Sequence, residues 1–362
     1  LAFKLLLQAL PLTLLLFILF PRIPGPLWGL PEDTLSAKTG LSDSMQPGRI
    51  SSLSDDNSAA FRVLFKGNPP QTHQRYWRGP VLSQFDGQRW SADNTLQQIP
   101  WKFTYAAYGA PLDYTVTLEA HDRPWIFALD LPATLPAKTR LTPEFQILSN
   151  KLVKDIFRYE MRSYLDYQTA ASEQLNFDNY LSVPATAAPQ TRRLVNTLSQ
   201  ASRSASDYVE QVLNYFREQP FYYSRQPPLL FDDPVDEFIF ETRKGYCEHY
   251  ASAFTVMMRL NGLPARVVTG YLGGEMNPLS DYMIIRQSDA HAWSEVWLEG
   301  KGWVRFDPTS VIPPQRVESS ADLARIQPET GQTLMIQRGW LTRSMRQAGF
   351  AWDAVNNRWN QW

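Results

Sequence analysis

The chain has 362 residues and carries 35 Lys and Arg against 36 Asp and Glu, a formal net charge of −1. That balance lacks the clustered basic excess of a nucleic-acid binder, and 44% hydrophobic residues exclude a disordered chain. One cysteine excludes an internal disulfide, and with His73, His121, His249 and His291 scattered along the chain there is no zinc-ligand spacing, so no metal is expected.

The length fits two ordinary domains plus extra segments, and a first residue of Leu1 suggests a piece of a longer protein. The opening run "LAFKLLLQALPLTLLLFILF" contains one charge, Lys4, and one amide, Gln8. As a helix it is roughly 30 Å long, the thickness of a bilayer's hydrocarbon core. It is apolar on all faces and no small-residue cleavage site follows it, which favours a membrane helix over a buried core helix or a signal peptide. "PRIPGPLWGL" then reads as a Pro/Gly exit with Trp28 as an interfacial anchor, so residues 1–30 are assigned to the end of a transmembrane helix and its exit.

Residues 31–57 read as a linker, because the Ser/Asp-rich stretch from Ser36 shows no period. A β-rich, sandwich-like domain is expected over 58–170. Its runs are "FRVLF" (61–65), "VLSQFDGQRWSA" (81–92), "YTVTLEA" (114–120), "WIFALDL" (125–131) and "IFRYEMRSYLDY" (156–167). "GNPP", "DG" and "HDRP" supply the turns between them. Trp77, Trp90 and Trp125 are expected in the core. Over 188–219, Leu194, Val195, Leu198, then Tyr208, Val212, Leu213 and Phe216 recur at helical steps, predicting two helices, the second closed by Pro220. "FYYSRQPPLLFDDPVDEFIF" is expected to be extended. The stretch 316–362 reads as a polar tail, helical around 332–348, whose closing "WDAVNNRWNQW" leads toward a membrane or packs on the domain.

The lone cysteine lies in "RKGYCEHYASAF" (243–254). Gly245 is expected to supply a tight turn, after which Cys247 opens a helix with Ala251, Phe254 and Met258 on its apolar side and Asn261-Gly262 at its end. Unsatisfied N–H groups and the macrodipole at a helix start favour a thiolate and can hold an oxyanion. A lone cysteine is also often an inert small hydrophobe, so position alone leaves both readings open. His291 opens the strand "HAWSEVWL" and Asp307 ends "WVRFD". A nucleophilic thiol needs a base, and that base needs an acid to fix its tautomer, so Cys247, His291 and Asp307 have the residue types for those roles. Register counting does not join the last two. With the hairpin centred near Lys301 they are displaced by about four residues, roughly 13 Å along a strand, which a bulge or strong twist closes only in part.

"RKGYCEHYASAFTVMMRLNGLPARVVTGY" and "DAHAWSEVWLEGKGWVRFDPT" resemble the core of the transglutaminase-like superfamily, over about 190–315. The apolar start, "RYWRGPVLSQFDGQRW" and the closing "RWNQW" are similar to bacterial inner-membrane proteins of the TgpA type. The resemblance implies an α+β fold, a papain-like core over 188–315 with the cysteine helix packed on an antiparallel sheet, which would bring His291 and Asp307 together. It implies Cys247 as nucleophile, His291 as general base and acid, and Asp307 as orienting carboxylate. Tyr223 is a candidate second oxyanion donor or a packing residue. Trp293 and Glu295 share the strand face of His291 and either line the cleft or support the histidine. His249, on another helix face, is treated as a bystander.

The expected activity is acyl transfer from a glutamine or peptide carboxamide through a thioester, with no cofactor. The alternatives are a cysteine peptidase or amidase acting on peptide or cell-wall crosslinks, and a membrane-anchored scaffold with a silent site. The expected partners are a protein or peptide substrate, cell-wall related in the second reading, and a lipid bilayer held through flanking membrane helices. The expected location is the bacterial inner membrane, with the catalytic domain in the periplasm.

Overall fold

In the computed structural model the described residues are 36–38, 41–49, 52–54, 56–99, 101–102, 105–169 and 177–327, together with position 11. The apolar run expected to span a bilayer lies, but for position 11, outside them, as do the helix expected around 332–348 and the aromatic end. Among the described residues no helix is long and apolar enough to cross a membrane.

The β-branched and aromatic runs of the first half form strands: β1 Ala59–Phe65, β2 Tyr76–Leu82, β3 Leu112–Leu118, β4 Ala128–Leu129, β5 Leu131–Pro132 and β6 Phe157–Tyr164. The periodic segments that follow are helices α1 Pro189–Ala201 and α2 Ala205–Glu218, then α3 Cys247–Leu260. Strands β7 Ala265–Leu272, β8 Glu275–Met276, β9 Met283–Arg286, β10 Ala290–Leu298 and β11 Gly302–Phe306 come next, and helix α4 Ser320–Ile326 closes the described chain.

Two large sheets order these strands. One runs β5-β6-β3-β1-β9-β8 and the other β4-β2-β7-β10-β11, with antiparallel neighbours throughout the second. Each sheet takes strands from both halves of the chain. At the join, β2 lies beside β7, and every residue of both strands is buried. That is the pattern of central strands covered on both faces, and it explains why "YWRGPVL" lacks clean alternation. Trp77, Trp90 and Trp125 are all in the core.

Ser204 caps α2 by accepting the Asp207 N–H, and α2 stops at Glu218, two residues before Pro220. Two stretches differ from the sequence expectation. Residues 41–49, read as part of an unpatterned linker, pack down: Ser44–Met45 pairs with Trp90–Ser91, Met45 is buried, and the Gly48 carbonyl accepts the Leu230 N–H at 2.9 Å. The segment expected to be extended before the cysteine contains a helical turn at Pro234–Asp236 running into a π-helical turn at Glu237–Thr242. Its organiser is tertiary: the Asp236 carboxylate accepts the N–H groups of Gln190 and Thr191 at 2.6 and 2.8 Å and the Thr191 hydroxyl at 2.6 Å, tying the turn to the start of α1.

Helix α3 is the centre of the second half. The sequence points to one apolar face, yet the helix is buried on nearly all sides from Cys247 to Arg259. It is sandwiched between the helices and the β7–β10 sheet, so even its polar positions find partners. The Thr255 hydroxyl meets that of Ser294 at 2.9 Å, the Ser252 hydroxyl accepts from the Trp90 indole at 2.8 Å, and the Arg259 guanidinium donates to three carbonyls, those of Ala265, Ser182 and Ser83.

Candidate active site

The chain reaches Cys247 through an abrupt change of direction. Arg243 takes a left-handed conformation, φ 49°, and the next two residues pair in parallel with Tyr222–Tyr223. Gly245 is therefore not the turn residue the sequence suggested. It is a point of close approach, where a Cβ would sit 2.7 Å from the Cβ of His249 and from the Phe238 ring. Tyr246, extended at φ −102°, is the N-cap, which makes Cys247 the first helical residue. Its own backbone N–H is among those without an intrahelical acceptor. At the far end Gly262 supplies the positive φ of a helix terminator, 76°.

His249 is no bystander to this geometry. Its Nδ1 accepts the Tyr246 N–H at 3.2 Å, closing the first turn from inside the core. Burial depresses its pKa to about 3, so the ring is a neutral acceptor.

His291 lies near the start of β10, and Asp307 follows the last residue of β11. The observed register pairs Leu298 with Gly302 and Ser294 with Phe306. The hairpin is therefore centred on Gly300, not on Lys301. Extending that register sets Asp307 opposite Trp293, on the same face as His291 and two residues along from it. The offset is roughly 7 Å rather than 13 Å. Side chains span this distance: His291 Nε2 lies 2.7 Å from Asp307 Oδ2. With Nε2 so occupied, Nδ1 is the ring nitrogen left over, and the Cys247 side chain is among the groups that favour the charged ring.

The three residues are 4%, 3% and 8% exposed, so the charges are little screened by water. Burial alone would lower the His291 pKa, but the Asp307 carboxylate outweighs it and holds the imidazolium up to about 10. Asp307 shifts the other way: burial would raise it, and the His291 charge with three donors keeps it low. Its Oδ1 accepts the Thr309 N–H at 3.0 Å and the Thr309 hydroxyl at 2.6 Å, while Oδ2 accepts the Tyr76 hydroxyl at 2.9 Å.

The other residues singled out by sequence separate. Trp293 stays at the site, its ring nearly parallel to that of His291 at 6.5 Å and edge-on to Tyr76 at 5.2 Å. Glu295 does not reach the histidine, although it shares the strand face. Its carboxylate is held by Arg78 and by Arg266, whose Nε donates to Oε2 at 2.9 Å, in a fully buried cluster. Tyr223 is buried among rings, 5.4 Å from Tyr246 and 6.1 Å from Tyr250. Tyr76 and Thr309, which both donate to Asp307, were missed. Thr309 stood within the Asp-Pro-Thr stretch and Tyr76 within "RYWRGP", but nothing local linked Tyr76 to a residue 231 positions away. A cleft of about 500 Å³, lined by Tyr108, Asp130, Asp166, Tyr167, Lys301 and Arg305 among others, includes none of Cys247, His291 and Asp307.

Residues 1–170 match the TgpA N-terminal domain and residues 192–308 match the transglutaminase-like superfamily. A Pseudomonas aeruginosa protein named protein-glutamine gamma-glutamyltransferase is 38% identical over 375 aligned residues, covering 100% of this chain and 54% of that protein, so the chain spans about half its length. The uncharacterized protein YebA of Bacillus subtilis is 36% identical over 146 residues, covering 38% of this chain and 20% of its own. The crystal structure of the periplasmic domain of TgpA from Pseudomonas aeruginosa superposes with a TM-score of 0.69 at 35% identity, over 77% of this chain and 96% of that one. With an α+β core that carries its cysteine at the start of a helix packed on an antiparallel sheet, behind a β-rich first half, the chain belongs to the transglutaminase-like superfamily, among its TgpA-type members.

Proposed function

We propose that the protein is a cysteine-dependent acyltransferase acting on glutamine or peptide carboxamides. The observation that carries the reading is the His291 imidazole held at Nε2 by Asp307, 2.7 Å away, with Cys247, the first residue of α3, among the groups that favour its charged form. An imidazolium stabilised by a buried carboxylate, with a cysteine at the positive end of a helix, is the arrangement that activates a thiol as a nucleophile.

The Cys247 sulfur attacks the carboxamide carbon, forming a C–S bond while the oxygen takes the negative charge. Backbone N–H at the helix start holds that oxyanion. Collapse breaks the C–N bond, and His291 gives its proton to the departing ammonia. An incoming primary amine, deprotonated by His291, then attacks the thioester, breaks C–S and leaves a secondary amide. Water in place of the amine gives a carboxylate. Asp307 keeps the imidazole in the required orientation. The name of the Pseudomonas relative supports transfer to an amine as the reaction. Its periplasmic structure, with the apolar run at 1–20, supports a periplasmic domain anchored to the inner membrane, and its name supports a protein or peptide substrate.

A glutamine-containing peptide and a labelled primary amine test the reading. Label incorporation is expected. Ammonia or cleavage alone replaces transferase with hydrolase, and no turnover with an alkylatable thiol makes the site silent. Iodoacetamide should modify Cys247 quickly at neutral pH and more slowly in His291→Ala; equal rates rule out the thiolate–imidazole pair. Asp307→Asn should keep the fold and lose most turnover, and near-full activity would remove Asp307 from the set.

A further inference from the structure

Asp307 is held on both oxygens, and the two sides differ. Oδ1 is fixed locally, by the N–H and hydroxyl of Thr309 two residues on. Oδ2, the oxygen that meets His291, has one other donor, the Tyr76 hydroxyl at 2.9 Å, which comes from β2 in the other half of the chain. Tyr76 is itself buried and located by its neighbours. The Arg305 guanidinium lies over its ring, 4.1 Å from the centroid, and is anchored to Asp130 at 2.5 Å. Asp130 in turn accepts the Tyr167 hydroxyl at 2.8 Å. The Trp293 ring packs edge-on against Tyr76 from the side of His291. Burial first, and the Asp307 charge with it, push the Tyr76 pKa well up, so the phenol remains a donor at neutral pH.

We propose that Tyr76 is a positioning residue for the Cys247–His291–Asp307 set, its hydroxyl fixing the carboxylate oxygen that orients the imidazole, with Arg305 holding the Tyr76 ring in place. This rests on the acyl-transfer reading of the site and adds to it a contribution from the β-rich half. A carboxylate that loses its Tyr76 hydrogen bond keeps Thr309 on one oxygen and gains freedom on the other. It also carries more charge on Oδ2, so its hold on the imidazolium proton tightens while its direction loosens.

The test is Tyr76→Phe, which keeps the ring under Arg305 and removes only the hydroxyl. The full chain is followed by amine incorporation and by the pH profile of iodoacetamide alkylation of Cys247. Turnover is expected to fall about 10-fold, the scale of one buried hydrogen bond to a charged group. KM should stay within about twofold, as expected for a residue that touches no substrate. The alkaline inflection of the alkylation profile, set by His291, should move upward. Arg305→Gln leaves the hydroxyl and should shift the same readouts in the same direction by a smaller factor. Unchanged turnover and an unchanged inflection in Tyr76→Phe, with alkylation still slowed in His291→Ala, overturn the role of Tyr76 and leave the acyl-transfer reading standing. Alkylation insensitive to His291→Ala overturns both.

Discussion

Glu248 and His249 follow Cys247 in the first turn of α3, and their titrations should mask each other. Burial pushes the Glu248 carboxyl up from 4.5 to about 7, against the Gly48 N–H that favours its anion. Burial pushes His249 down from 6.5 to about 3. The folded protein therefore binds more protons at Glu248 than the unfolded chain does between pH 4.5 and 7, and stability falls as pH rises through that window. At His249 it binds fewer between pH 3 and 6.5, and stability falls as pH drops through that window. Each slope is about 1.4 kcal/mol per pH unit, so from pH 4.5 to 6.5 the two cancel. Removing one exposes the other. Relative to the parent, Glu248→Gln should gain about 3 kcal/mol of stability between pH 4.5 and 6.5, and His249→Gln should lose about as much over the same interval. Urea unfolding followed by tryptophan fluorescence at pH 4.5, 5.5 and 6.5 measures both differences, in which every other titrating group drops out. Differences from the parent that stay constant with pH, within about 0.5 kcal/mol, would refute the reasoning and point instead to an ion pair between the two side chains, whose nearest atoms are 3.9 Å apart.

Three further outcomes are expected. Glu295→Leu leaves the Arg78 and Arg266 guanidinium groups buried without their shared carboxylate, and should cost about 3–5 kcal/mol in urea unfolding; a midpoint near that of the parent would show the cluster to be well hydrated. Gly270→Ala puts a Cβ 2.0 Å from the Trp77 carbonyl oxygen, inside the β2–β7 join, and should abolish soluble expression or cost more than about 3 kcal/mol, whereas parental yield and Tm would mean the strands can part there. Trp90→Phe removes the indole donor to Ser252 and weakens the stack under the Arg259 guanidinium, 4.7 Å from the ring centroid. A loss of about 1–2 kcal/mol is expected by thermal unfolding, and no loss would assign both contacts no net value.

What the sequence determined by itself was whatever short-range chemistry specifies. A helix opening at Cys247 and stopping at Gly262, strands at His291 and before Asp307, and two helices ahead of Pro220 are each written in caps, breakers and periods within about a dozen residues. The candidate Cys, His and Asp were legible for the same reason, as residue types at element ends. The tertiary structure decided which of them touch and what stands behind them. A one-residue change in the centre of the β10–β11 loop moves the partner of His291 by two positions, so register needed the closed hairpin. Glu295 and Trp293 share a strand face, yet one pairs with Arg78 and Arg266 and the other stacks on His291, because positions only two residues apart on one strand meet different neighbours. Tyr76 meets Asp307 across 231 residues because β2 inserts beside β7, and both strands are mostly apolar runs, one arginine in each, buried on two faces. Such runs carry a strong signal for burial and almost none for partner, since hydrophobic association has no direction of its own.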